Sequence, residues 1–355
     1  MKALYLGAAL LAASFAGTAS AMSIEEIANY AKPDRQKVLE DLARKEGEVL
    51  WIGGLNEQTA SGPIVKAFNE KYPFIKGRYI RTGTPEGLQR ILAEYRAKTP
   101  RVDLFNGSAV VDLKQVNLVQ AFATPALDIF PAEIKDPDRL YATLRLSYQG
   151  VAMWDTKQVP ADKAPKSYED LLDPFFKGKI AMSDSQGAGT PFLISYFRKV
   201  WGEEKALSYI EKLAKQNPII SSAATRNLAD LVVAGEYAIL MNPANQHIGQ
   251  ALGKGAPVNG VLANPTLARN DYVMLLKTAP HPAASMLLID HVLSQQAAEI
   301  LQKAEYSPAH PAVEPEGYMK EFTPGSKGYK TFVLDDATLQ ELGKSSNDIF
   351  KRLFQ

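Results

Sequence analysis

Eight residues, Ser183 to Thr190, run Ser-Asp-Ser-Gln-Gly-Ala-Gly-Thr ahead of Pro191, and all but Gln186 have small or short polar side chains. Behind them Phe192, Tyr196, Phe197, Val200 and Trp201 recur at helical spacing. Thr190 can cap that helix, and Pro191 suits its first turn, where a missing N–H does little harm. A helix start behind such a loop leaves backbone N–H groups open to a guest, and the helix dipole makes an anion the preferred one. Ser185, Gln186, Gly187, Gly189 and Thr190 are therefore candidate ligand contacts. Standing alone, the loop reads more readily as an ordinary N-capped surface helix.

It does not stand alone. Asn56 sits in a loop after the apolar run Val49–Ile52. Thr82-Gly83-Thr84 follows Lys76–Arg81, and Asn106-Gly107-Ser108 follows Val102–Phe105. Each leads into an amphipathic helical pattern. The second half repeats the arrangement with Ser221–Arg226 and with Asn242-Pro243-Ala244-Asn245-Gln246-His247. Strands alternating with helices predict an α/β fold with mainly parallel sheets and helices on both faces. In such sheets the loops at the strand C-termini share one edge, and ligands bind there. Asn56, Thr82, Gly83, Thr84, Asn106 and Ser108 are expected to converge. Arg226 falls in the first turn of a helix, where a cation is disfavoured unless an anion compensates it. Asn242, Asn245 and His247 complete the polar set, although His247 reads as readily as a capping residue.

Reactive chemistry is absent. The chain has no Cys, which excludes thiolate catalysis, disulfides and Cys-ligated metals. Its four histidines form no H-E-x-x-H pair, and there is no G-x-S-x-G elbow. Gly249–Lys254 is one residue short of a phosphate-binding P-loop and lacks its Ser or Thr. What remains is uncharged polar side chains, amide N–H groups and a few cations. Such groups grip a small molecule without transforming it.

The 355 residues, 46% hydrophobic and 22% charged, suffice for two cores. Residues 1–21 read as a secretory leader, with Lys2, an apolar run from Leu4 to Ala16, and Ala19-Ser20-Ala21 as the cleavage pattern. Without Lys2 the acidic and basic side chains balance, so no basic field is available for nucleic acid. The strand Tyr148–Trp154 leads out of the first half, and Asp271–Leu276 returns toward it. Residues 22–47 read as one leading helix.

The layout resembles the extracellular solute-binding proteins of ABC importers, in the ferric-iron-binding-like branch. The resemblance rests on the Gly53–Thr59 loop, on Thr84–Glu94 (with Pro-Glu-Gly-Leu-Gln-Arg-Ile-Leu-Ala-Glu), and on Val102–Phe105. It continues through Ser167–Leu172, Lys177–Ala181, Gly235–Ala238, His281–Ala284 and Leu293–Gln296. It implies a two-lobed type II periplasmic-binding-protein fold, each lobe a mixed, mainly parallel sheet flanked by helices, with the ligand cleft between lobes. On that frame 1–21 is the signal peptide, 22–150 the first part of lobe 1, 151–272 lobe 2, and 273–355 the return to lobe 1. Tyr148 then falls at the crossing. The resemblance further implies a monomer that is no enzyme, hinge closure on the ligand, and delivery to an inner-membrane permease from the periplasm. Iron-binding members of the branch carry adjacent tyrosines where this chain has Asn242–His247. Ferric iron needs anionic oxygen ligands, so an organic anion, a carboxylate or phosphonate, is expected and no cofactor is called for. A ferric or other metal-binding protein is the alternative, and a secreted enzyme on the same scaffold the remoter one.

Overall fold

The computed structural model describes residues 22–108, 110–185, 189–334 and 336–355. The expected leader lies outside them, as do two candidate contacts, Gln186 and Gly187. The chain opens with α1 (Ile24–Ala28) and α2 (Arg35–Glu46) instead of one helix. Pro33 accounts for the break, because a residue preceding proline is pushed out of the helical region.

The first part continues as β1 (Glu48–Gly53), α3 (Gly62–Lys71), β2 (Lys76–Arg81), α4 (Thr84–Ala97), β3 (Leu104–Gly107), α5 (Val110–Gln115), β4 (Val119–Gln120) and β5 (Ala142–Tyr148). The second comprises β6 (Gly150–Asp155), β7 (Ile180–Ser183), α6 (Thr190–Trp201), α7 (Glu203–Ala214), β8 (Ile219–Ser221), α8 (Thr225–Val233), β9 (Ile239–Met241), α9 (Asn245–Gly253) and β10 (Val258–Leu262). The return comprises β11 (Thr266–Leu276), α10 (Pro282–Val292), α11 (Gln295–Lys303), β12 (Ser307–Pro308), α12 (Gly317–Glu321), β13 (Thr331–Val333) and α13 (Asp336–Phe354).

Two sheets result. One has the order β12-β5-β11-β3-β1-β2, with β4 and β13 also on β11; the other is β10-β6-β9-β7-β8. Wherever a helix crosses between strands the pairing is parallel: β1 with β2 and β3, β7 with β8 and β9. β11 instead runs antiparallel to β3 and β5, and β6 to β9 and β10. Both sheets are thus mixed rather than mainly parallel, because the strands carrying the chain from one sheet to the other run against their neighbours.

Alternation along the strands builds a core on each face. Val49 and Trp51 face α2, α3 and α10, whereas Leu50 and Ile52 face α4 and α5. In the second sheet Ile180 and Met182 pack toward α6 and α7, and Ala181 and Leu240 toward α8 and α9. Gln149 joins β5 to β6, and residues 263–265 join β10 to β11. The return strand begins at Thr266, earlier than its apolar half suggested. The tail also departs from expectation. After β13 pairs with β11, α13 packs along α6, and Leu334 and Phe350 enter the second core. Residues 273–355 therefore do not all belong with the first sheet, since the apolar face of α13 is buried against the second.

Gly53 closes β1 where the first and third strands come closest. A Cβ there would stand 1.8 Å from Asn106 Oδ1 and 2.7 Å from the Asn106 carbonyl. Gly53→Ala must displace Asn106, whose amide donates to both Asp271 oxygens at 3.3 Å. The expected loss is about 2 kcal/mol of stability, typical of overpacking in a closed site. Urea unfolding of the variant measures it, and an unchanged midpoint would show that the strand ends can part freely.

Candidate functional site

The loop edges of the two sheets face each other across a cavity of about 230 Å³. From the first sheet come Gly54, Thr84 at the start of α4, and Asn106, Gly107 and Ser108 at the end of β3. The connecting strands supply Arg145, Ser147 and Gln149 on one side and Arg269, Asn270 and Asp271 on the other. The second sheet adds Ala224, Thr225 and Arg226 at the start of α8, with Ala244, Gln246 and His247 at the start of α9.

Three helices therefore begin at the cavity wall. Their caps are Gly83, Ala224 and Ala244, and none provides a side-chain hydrogen bond to the first turn. α1 and α11 are capped by the hydroxyls of Ser23 and Ser294, whereas α2, α3, α6, α7 and α12, which also start away from this cavity, lack a side-chain cap too. Uncapped amide donors and three converging positive dipole ends favour negative charge in the space between them.

The charged groups point the same way. Three guanidinium groups line the cavity against one carboxylate, Asp271. Arg145 is mostly buried and donates to Asp271 at 2.8 Å through Nη2. Its Nε and Nη1 are buried with no partner among the described residues, as are Thr225 Oγ1, His247 Nδ1, Asn106 Oδ1 and Asn270 Oδ1. Buried polar atoms left unpaired are destabilising and call for a partner. Arg269 makes no ion pair among the described residues; its guanidinium lies 5.3 Å from the centre of the Phe192 ring. Burial, reinforced by Arg145 and opposed by Asp271, pushes its pKa down to about 10, so it stays charged at neutral pH. Burial, with Arg226 and Arg145 adding to it, pushes His247 down to about 3, so the imidazole is neutral.

Of the residues expected from sequence, Thr84, Asn106, Ser108, Arg226 and His247 are brought together here. The others are placed differently. Asn56 accepts from the amides of Gln58 and Thr59 and caps its own turn. The Thr82 hydroxyl donates to the Gly83 carbonyl, and Gly83 serves as the α4 cap. Tyr148 contributes a backbone N–H to Asn245 Oδ1 at 3.1 Å. Asn245 is fully buried, and its NH₂ donates to Ser307 and to the Phe322 carbonyl, so it ties segments together and is not free for a guest. Asn242 is buried in a left-handed turn at φ 58°. Gly189 N–H donates to the Ser185 carbonyl at 2.7 Å, and a Cβ on Gly189 would meet the Ser183 carbonyl at 2.5 Å. Gly189, not Thr190, caps α6, and Thr190 is its buried first residue. Ser185, Gly189 and Thr190 thus lie outside the cavity lining. Arg226 is compensated from within, donating to Asp230 at 2.9 Å and to Gln250.

Arg145, Ser147, Gln149, Arg269, Asn270, Asp271, Thr225 and Gln246 escaped the sequence reading. For Arg145, Arg269 and Asp271 the signal was charge inside strands. Arg145 interrupts the alternating run Ala142–Tyr148, and Arg269-Asn270-Asp271 interrupts an otherwise apolar strand of eleven residues. Charged groups are rarely buried unless a partner holds them there.

A family model described as bacterial extracellular solute-binding protein matches residues 99–324, more than half of the chain. The chain belongs to this family. The solute-binding protein is 26% identical over 257 residues to an uncharacterised protein of Haemophilus influenzae, covering 67% of this chain and 70% of that one. It is 28% identical over 187 residues to a Salmonella typhi protein provisionally named 2-aminoethylphosphonate-binding periplasmic protein, covering 51% of this chain. It spans only about half, 53%, of that relative. Iron-bound HitA from Pseudomonas aeruginosa superposes with a TM-score of 0.71 at 18% identity, covering 87% of this chain and 99% of HitA. The two-lobed binding-protein fold is thereby established. No helix among the described residues is long and apolar enough to cross a membrane.

Proposed function

We propose that this solute-binding protein is the periplasmic receptor of an ABC importer and captures a small organic anion, a phosphonate or carboxylate, between its two sheets. The observation that carries the reading is the cavity itself, where three uncapped helix starts and three guanidinium groups surround one carboxylate. Arg145 keeps N–H donors with no partner among the described residues, and an oxygen of a carboxylate or phosphonate can accept from them. The provisional name of the Salmonella relative supports the phosphonate choice. The cavity binds without turnover, because its donors include no nucleophile with an adjacent base. Gln149 and residues 263–265 serve as the hinge on which the lobes close, after which the loaded monomer docks on its permease. Export follows from the leader at 1–21, with cleavage near Ala21.

A metal cargo fits this lining poorly. Three guanidinium groups repel a cation, and no cluster of three His, Asp or Glu among the described residues could hold one. Calorimetry on the mature chain, with 2-aminoethylphosphonate, methylphosphonate, short carboxylates and ferric citrate, tests the choice. One-to-one binding of an organic anion, micromolar or tighter, is expected, with a smaller radius of gyration in solution scattering. Colour and tight binding with iron, and silence with every organic anion, would replace this reading with the metal one.

A further inference from the structure

The cavity does not end at Arg269. A second space of about 440 Å³ opens beside it and shares Thr84, Ser108, Arg269 and Asn270 with it as a common wall. Its character differs. Beyond that wall it is lined by Leu88 of α4, Phe192 of α6, Tyr272 of β11, and Leu334 and Leu339 flanking and within α13. Phe192 presents an aromatic ring with the Arg269 guanidinium near it, so the charged and apolar compartments meet at one residue. Among the described residues Asp112 is the one carboxylate lining the annex.

We propose that the annex receives the organic substituent of the ligand, and that the natural ligand is an anionic head group bearing a flat apolar or aromatic tail. The inference rests on the anion reading above and names its substrate class more closely. Head and tail must be joined near Arg269, since the two spaces touch only there and at its immediate neighbours. An inorganic oxyanion or a two-carbon phosphonate would leave the annex unused. A ring placed there leaves water for Phe192, Tyr272 and three leucines, and its π-face can take the Arg269 cation. The tail should raise affinity by about tenfold or more, given the apolar area a ring buries.

The chain supplies a clean blocking position. Gly343 lines the annex from α13, and a Cβ built there meets nothing within 4 Å among the described residues. Gly343→Trp fills the space from the far side, away from the head-group cavity, and replaces a poor helix former. Calorimetry compares methylphosphonate with phenylphosphonate, and acetate with benzoate, on the wild-type chain and on this variant. The expected result is an aryl advantage of at least about tenfold in the wild type within the pair that binds. Gly343→Trp should remove that advantage and leave the methyl compound within about twofold. Equal affinity for aryl and methyl compounds overturns the annex assignment and leaves the anion reading intact. So does a variant that weakens both equally while its melting temperature is unchanged. Failure of all four compounds to bind overturns both.

Discussion

Arg269→Met should weaken binding of the anionic ligand by about 100-fold or more while leaving the ligand-free protein as stable as before, or more so. The two halves of this expectation have one cause. Arg269 holds a charge in a site where burial already pushes its pKa down to about 10. It makes no ion pair among the described residues, and a cation so placed opposes folding until an anion arrives. Removing it relieves the free protein and deprives the ligand of a desolvated partner, which elsewhere is worth roughly 2–5 kcal/mol. Met preserves the length of the stem and its contact with Phe192. Arg226→Gln is the contrasting case. Its guanidinium is already satisfied by Asp230 and Gln250 and is a third exposed. A loss of less than about tenfold is expected there. Calorimetry and thermal melting on the two variants decide the matter. If Arg226 proved the more damaging loss, or if Arg269→Met lost stability together with affinity, the buried cation would be structural and the clamp would lie elsewhere.

That ranking reverses what the sequence suggested, for a physical reason. Thr84, Asn106 and Ser108 were legible because a small polar residue between a strand and a helix has few other uses, and topology sends such turns to one edge. Arg226 looked important because the first turn of a helix disfavours a cation. A carboxylate one turn later, Asp230, resolves that conflict locally. Arg145 and Arg269 sit in mid-strand, where local pattern marks only an interruption of apolar sequence. What brings them to the cavity is the passage of β5 and β11 beside the seam between the sheets, a consequence of pairing between residues more than a hundred positions apart. The described part of the Ser183–Thr190 loop departs in the opposite direction. Ser183, Ser185 and Gly189 satisfy one another, and the nearby residue that lines a cavity wall is Phe192, an apolar position just beyond. The two-lobed fold was legible because β1, β2, β3 and β7 each end in a turn that opens a helix. The pairing of β10 with β6 was not, because Gly260 leaves that strand a weak apolar pattern.

Acid should destabilise this protein through His247, and the anion should protect it. In the folded chain the imidazole has a pKa of about 3, because burial, Arg226 and Arg145 all disfavour its charged form. Once unfolded, it takes up a proton near its ordinary value of about 6.5. Below that pH the unfolded state binds the extra proton, so stability falls as pH falls, by about 1.4 kcal/mol per unit until the folded pKa is reached. Between pH 7 and 4.5 the loss from this residue is about 2.5 kcal/mol. His291 and His310, also lowered by burial, add to the acid loss. His281 acts oppositely, since its hydrogen bond to Asp103 raises its pKa and its support is lost as pH rises. His247→Gln isolates one contribution: its urea-unfolding free energy should drop by about 2.5 kcal/mol less than the wild type over the same interval. Burial is the larger cause of that low pKa, but an anion seated among the three guanidinium groups would offset the part due to Arg226 and Arg145, raise the pKa and reduce the wild-type loss. Protection by a neutral solute as great as by a phosphonate would show that the cavity responds to occupancy and not to charge.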